Sequence, residues 1–460
     1  MLSNNTYKDR PSIRIKHNLE QGLVPIQKDP ITVEQPALTP TNEEDNIGAI
    51  YSQQWIQYHL SMAVEMLDSL LKHFKDVLKM RKEEQELWMT AMKEEIKSLH
   101  ERKVWDVVDL PKGCQTIKGR WVYAMKSNGH KKARFVTKGF TQVFRIDYKN
   151  TFSPVTWFET LQLLLSLAVL HDWKLEALDV KTAFLFRELK KEINMDQPEG
   201  SVVKGKEFKV CHLWKAIYSL KQAALQWNKQ LHKSFTRSLS DPGTYFKITS
   251  QDIIILLVYV DDALFMGSNK TQVLTHNKQF MKRWESHDLG KAKEYLGMRI
   301  TRNCKKWTIT LDQTCYAEKV VKWFGQENCK PISVPLPTGY NLRSNPNKEA
   351  NATLQSQYQL IIGSLLYIML GTQPDIAYSI IKMLQFSVNQ TKEHLQKVLY
   401  IVHYLSSTTD LCICYSGLGD KNGFIVYSDM DWGGNIETSR SITGYAMFLA
   451  NGIISWLSQQ

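Results

Sequence analysis

No apolar run in the sequence approaches the roughly 20 residues that a membrane-spanning helix requires; the longest, Ile253–Val260 and Leu161–Leu170, fall well short. The opening MLSNNTYKDR has no apolar core of the signal-peptide kind. These absences predict an intracellular protein without a membrane partner. Cysteine is sparse as well: seven in 460 residues, an odd number, with no C-x-x-C pair. That argues against a disulfide framework and against a structural zinc site. Cys412 and Cys414, two apart in an apolar strand-like stretch, are expected to be buried thiols. Acid is missing locally: between Leu110 and Ile146 there are nine Lys or Arg residues and not one Asp or Glu.

What remains is ample for globular packing. Hydrophobic residues make up 43% and aromatics 11% of 460 residues, more chain than one ordinary core holds, so several domains are expected. The first 50 residues differ, because Pro11, Pro25, Pro30, Pro36 and Pro40 interrupt a mostly polar stretch with no helical or strand period. They read as a flexible lead-in. Net charge is +12, and the acid-free stripe holds much of it. Such a stripe is either a solvated face or the seat of an anionic partner. Trp121, Tyr123, Phe135 and Phe140 interleave its cations. This favours nucleic acid or nucleotide, since rings stack on bases while cations meet phosphates.

Apolar residues recur at one-face helical spacing from Leu60 to Leu78 and again over about Glu84–Leu99. The first predicts a packing or partner helix. The second leads into VWDVVDLPKG, a strand closed by a proline-containing turn. Strand patterns follow at Trp121–Met125 and Arg134–Val136, with Asn128–Gly129 as the hairpin turn between them. Thr160–Leu170 reads as a buried helix, KLEALDV (174–180) as a strand of alternating polarity, and TAFLFREL (182–189) as an apolar helical segment.

Within LLVYVDDALFMG (256–267), Asp261 and Asp262 stand side by side between two apolar runs. Adjacent carboxylates beside a buried strand repel through a lowered dielectric and lose hydration, so something should offset the cost. A hairpin with its acids at the tip fits the pattern. Asp179 ends an earlier strand in the same way. Three carboxylates converging from strand ends can hold two divalent ions that clamp the oxygens of an in-line phosphoryl transfer. Mg²⁺ suits this, because it takes few carboxylates and keeps sites for phosphate and water. The alternative for the pair is an acidic surface turn.

YVDD after an apolar strand resembles the signature of reverse transcriptases, and further blocks resemble the copia-type LTR retrotransposon branch. They are KARFVTKGFTQ (132–142), DYKNTFSPV (147–155), LDVKTAFL (178–185), YSLKQAALQW (218–227), HDLGKAKEYLGMRI (287–300), IGSLLYIML (362–370) and YSDMDWGG (427–434). They stand in the family's order and cover about residues 84–460. The resemblance implies an α+β right-hand polymerase. After the lead-in (1–50) and an amphipathic helical segment (51–81) would come fingers and palm (82–270), the palm's end with the thumb (271–345), a connection (346–420) and a truncated RNase H-like α/β segment (421–460).

The implied activity is RNA-directed DNA polymerase, a nucleotidyltransferase that takes an RNA template, a DNA or RNA primer and dNTPs. Asp179 and Asp261 would hold two Mg²⁺ ions, with Mn²⁺ as a substitute and Asp262 as the supporting acid. Arg134 and Lys132 would meet the triphosphate. Phe184 would lie under the sugar and exclude a ribose 2′-hydroxyl, its other reading being a core phenylalanine. Gln222 would steady the incoming nucleotide, its other reading being a helix-surface amide. Asp429 matches the first metal carboxylate of a ribonuclease H site; the sequence stops before the other acids, so no ribonuclease H activity is expected. The implied location is in cytoplasmic particles, with access to the nucleus.

Departures from the family pattern are concentrated elsewhere. Ser219, Ala224 and Leu225 replace a usual glycine, proline and arginine; Phe186 and Arg187 replace Asn-Gly; Arg145 replaces a glycine and Gln373 an arginine. They support an alternative, a catalytically weak retrotransposon-derived protein that binds nucleic acid without useful turnover.

Overall fold

The computed structural model describes residues 71, 73–125, 129–138, 156–180, 189, 192–217, 220, 227, 231, 235–337, 343, 345, 352–419, 423–431, 433 and 441–459. The lead-in, most of the Leu60–Leu78 spacing, most of TAFLFREL, and both Phe184 and Gln222 lie outside them. All described residues belong to the unit Tyr51–Gln460.

Along the chain, α1 (Phe74–Leu78) and α2 (Lys82–Glu101) precede β1 (Trp105–Val108), β2 (Thr116–Ile117), β3 (Gly119–Met125) and β4 (Lys131–Thr137). Next come α3 (Phe158–Leu170), β5 (Lys174–Val180), β6 (Asn194–Met195), β7 (Val210–Leu213), β8 (Thr236–Arg237), β9 (Thr244–Ile248), β10 (Ile253–Tyr259) and β11 (Asp262–Gly267). Helix α4 (Lys270–Arg283) leads to β12 (Ser286–Lys291), β13 (Glu294–Tyr295), β14 (Met298–Asn303), β15 (Thr308–Asp312) and α5 (Thr314–Trp323). Three helices, α6 (Ala352–Gly371), α7 (Ala377–Leu384) and α8 (Lys392–Ser406), precede β16 (Cys412–Ser416), β17 (Ile425–Met430), β18 (Thr443–Leu449) and β19 (Gly452–Gln459).

Within the basic stripe, β3 and β4 pair as expected into an antiparallel ribbon, with Trp121 opposite Phe135 and Val122 opposite Arg134; Asn128 of the expected turn lies outside the described residues. Its apolar face packs on α2, burying Trp88, Met92 and Leu99 with Trp121, Tyr123 and Phe135. The ring centroids of Trp121 and Phe135 are 5.1 Å apart, edge to face. Gly119 is required here, since a Cβ would lie 2.1 Å from the Phe135 ring. Beside the ribbon, β1, β7, β6 and β2 form a small sheet.

The central sheet has the order β12-β5-β11-β10-β9-β8. Alternation along β10 and β11 sends Ile255, Leu257, Leu264 and Met266 to one core with α3, and Ile254, Leu256, Val258, Ala263 and Phe265 to another with Val273 and Phe280 of α4. Both faces are covered, which is why these strands read as continuous apolar runs. Strand β5 forms over the expected residues, but its polar Glu176 is only 8% exposed. Burial, followed by the charge of Asp288, raises its carboxyl above the ordinary range. Helix α4 starts where it does because the Asn269 side chain accepts from the Thr271 and Gln272 amides.

A second sheet, β13-β14-β15-β16, shares the α3 core through Met298, Ile309, Leu311 and Tyr415, and Ile454 of β19 joins them. Residues nearly 300 positions apart thus pack in one core with Leu161. Cys412 and Cys414 are exposed, not buried. The strand period of two gives the interior to Ile413 and Tyr415 and turns both thiols outward. Among the described residues no helix is long and apolar enough to cross a membrane.

Candidate active site

Register builds the site. Strands β10 and β11 pair from Ile254 opposite Gly267 to Tyr259 opposite Asp262, leaving Val260 and Asp261 as a two-residue loop. Such loops need positive φ to match the strand twist. Val260 supplies it with φ +57°, an uncommon conformation for a β-branched residue and a strained one. The tip of the predicted hairpin therefore carries Asp261, and Asp262 opens the returning strand.

Strand β11 then pairs with β5, and the register sets Asp262 opposite Asp179. On the other side of Asp179, β12 brings His287 opposite it. The Val180 amide donates to the Asp261 carbonyl at 2.8 Å, tying the turn to the end of β5. The three aspartates singled out in the sequence thus share one end of one sheet.

The turn end of the hairpin is braced by the residues just before α3. Thr156 accepts at its Oγ1 from the Val258 amide at 3.1 Å, and its own amide donates to the Val258 carbonyl at 3.3 Å. Buried Asp241 accepts from the Trp157 amide at 3.0 Å, the Gly243 amide at 2.9 Å and the Thr244 hydroxyl at 3.0 Å. A fully paired buried carboxylate of this kind rigidifies its surroundings.

Charge is unevenly distributed across the triad. The Asp262 carboxyl is pushed up to about 7, first by burial, then by Asp261 and Asp179, with a further contribution from Glu294. Asp261 is also raised by burial, but Arg134 opposes the rise and Lys132 does so more weakly. The Arg134 Nη2 lies 3.5 Å from Asp261 Oδ2. Alternation along β4 explains this reach. Lys131, Ala133 and Phe135 face α2, where Lys131 Nζ meets Glu84 at 3.3 Å and the Phe135 amide donates to Glu95; Lys132 and Arg134 take the opposite face.

Sequence reasoning missed His287 and Glu294. Both fall in the family-like block HDLGKAKEYLGMRI (287–300), but no role was given to either, because only the register of β12 and the return of β13 bring them near the aspartates. Phe184 and Gln222 lie outside the described residues. Asp429 stands apart from the cluster's sheet, exposed on β17 opposite Gly444. Among the described residues no three His, Cys, Asp or Glu side chains are already grouped to hold one ion.

Comparison with known proteins speaks to the same residues. A family described as reverse transcriptase (RNA-dependent DNA polymerase) matches residues 102–338, a span that contains the whole cluster. The chain belongs to the reverse transcriptase family. It is 39% identical over 387 residues to the retrovirus-related Pol polyprotein from transposon TNT 1-94 of Nicotiana tabacum, covering 81% of this chain and 29% of that protein. To the corresponding polyprotein from transposon RE1 of Arabidopsis thaliana it is 33% identical over 388 residues, covering 82% and 26%. The putative transposon Ty5-1 protein of Saccharomyces cerevisiae is 28% identical over 288 residues, covering 62% of this chain and 92% of that one. These are copia-type retrotransposon relatives. This reverse transcriptase chain spans less than a third of the length of the tobacco and Arabidopsis polyproteins.

Proposed function

We propose that the chain acts as an RNA-directed DNA polymerase, with the central sheet as palm, the β3–β4 ribbon and α2 as fingers, and the helices after β15 as thumb and connection. The observation that carries this reading is the register that sets Asp262 against Asp179 with Asp261 at the adjoining turn. The cluster fits divalent cations: Asp261 and Asp179 raise the proton affinity of Asp262, the repulsion that bound positive charge offsets. Asp179 and Asp261 would hold two Mg²⁺ ions, or Mn²⁺ in their place, flanked by Asp262. These ions would supply the charge that stabilises an in-line transfer at phosphorus.

The chain's own residues do the remaining work. Arg134 and Lys132 neutralise the triphosphate, the arginine by a bidentate fork. The primer 3′-oxygen bonds to the α-phosphorus of the dNTP while the bond to the β-phosphate oxygen breaks. Pyrophosphate leaves, and the hydroxyl proton passes to solvent. On the family resemblance, Phe184 excludes a ribose 2′-hydroxyl and Gln222 steadies the nucleotide. No ribonuclease H chemistry is assigned to Asp429.

The test is primer extension on an RNA template with Mg²⁺ and, in parallel, Mn²⁺, comparing wild type with Asp261→Asn. Extension by the wild type alone supports the polymerase. Salt-sensitive template binding with no extension by either protein would replace it with the binding-protein reading.

A further inference from the structure

We infer that Arg134 is a built-in competitor for the divalent cation at Asp261: its guanidinium holds that carboxylate until a triphosphate draws it away. The inference rests on the polymerase reading and adds an order of events to it, in which nucleotide arrival opens the metal site.

Three observations carry it. The guanidinium sits 3.5 Å from Asp261 Oδ2, with the two side chains 39% and 25% exposed, so the contact is half-screened and reversible rather than locked. The strand that delivers it is anchored from behind: the Phe135 ring is buried, the Phe135 amide donates to Glu95, and Lys131 meets Glu84. Arg134 therefore moves by rotating its own side chain, not by displacing the ribbon. Finally, the carboxylate that Arg134 meets belongs to the cluster: Asp261 lies on the turn beside Asp262, which is in register with Asp179.

Competition follows from chemistry. A guanidinium and a divalent ion cannot both use the same carboxylate oxygen. A triphosphate offers Arg134 more charge and a bidentate fit than one carboxylate does. Whatever draws Arg134 to phosphate frees Asp261, and by linkage the ion then favours nucleotide to the same degree.

The experiment measures Mn²⁺ binding by the electron paramagnetic resonance of the free ion, without nucleotide, on the full chain and three variants. Arg134→Gln removes the charge at a half-exposed site and opens no cavity. Lys132→Gln removes an equal charge from the same face of the ribbon, one that acts on Asp261 more weakly than Arg134 does, and Asp261→Asn removes the carboxylate. Thermal melting confirms that each is folded. Arg134→Gln is expected to tighten Mn²⁺ binding by about three- to tenfold and Lys132→Gln by less than about twofold. Equal tightening in both, or no change in Arg134→Gln, overturns the inference. Asp261→Asn separates the levels. Its loss of Mn²⁺ binding keeps the metal site whatever Arg134 does, whereas wild-type affinity would overturn the metal site and the competitor together.

Discussion

Asp262 and Asp429 both stand on antiparallel strands, and their surroundings differ in almost every respect. Asp262 of β11 is flanked in register by Asp179, adjoins a strained turn with Asp261, and is desolvated enough to hold its proton to about 7. Asp429 of β17 is exposed, lies opposite a glycine, and accepts from the amide of Met430, its own neighbour. Chemistry here comes from convergence and desolvation, not from the residue type. A carboxylate facing water is already content.

The contrast breaks most visibly in activity. Asp261→Asn is expected to lower the primer-extension rate by about 10³-fold or more, by analogy with removal of a central electrostatic group. Asp429→Asn should leave it within about twofold in the same assay. A large loss in the second would show that convergence is not the criterion.

Stability sharpens the comparison next. Gly119→Ala forces a methyl group against the Phe135 ring behind the strand that presents Arg134. A loss of about 2 kcal/mol in urea unfolding is expected. The extension rate should fall with it, because the ribbon loses its anchor.

A smaller effect is expected from pH. The Asp262 carboxyl titrates near 7 in the folded chain and near 4 when unfolded, so the folded state binds its proton more tightly. That contribution is complete below about pH 4 and is lost as pH rises through about 7. In divalent-free buffer the melting temperature should therefore decline over this window, and less steeply in Asp262→Asn. Asp429→Asn should leave the slope unchanged.

The smallest change is expected at the turn. Val260→Gly relieves a φ of +57° and should raise stability by about 0.5–1 kcal/mol at most, since glycine's own entropy opposes the gain. The same variant should slow extension by loosening Asp261. A stabilised variant that extends at the wild-type rate would show that the turn's strain has no role in placing the carboxylate.

Much of this was legible beforehand. The period of 3.6 in residues 84–99 marked α2, the two short strand patterns marked the β3–β4 ribbon, and an acidic pair between apolar runs marked the β10–β11 hairpin. The legible features are local, because hydrophobic period and turn geometry act within about a dozen residues. Cys412 and Cys414 were misplaced because composition alone does not say which parity of a strand faces a core. KLEALDV was read as a strand of alternating polarity, and covering both sheet faces buried its Glu176 as well. Gln373 is buried with its amide nitrogen on the Thr408 carbonyl and its Oε1 without a partner, a compromise no sequence pattern announces.

By itself the sequence determined which groups were available: an acid-free cationic stripe, three aspartates at strand ends, and an apolar hairpin to carry two of them. Only the tertiary structure decided that β11 pairs with β5 so that Asp262 faces Asp179, that β12 and β13 return His287 and Glu294 to the same end, and that Arg134 reaches Asp261. The reason is physical. Side-chain type and period are properties of neighbours along the chain, whereas charge repulsion, desolvation and ion pairing depend on distances that register and packing alone create.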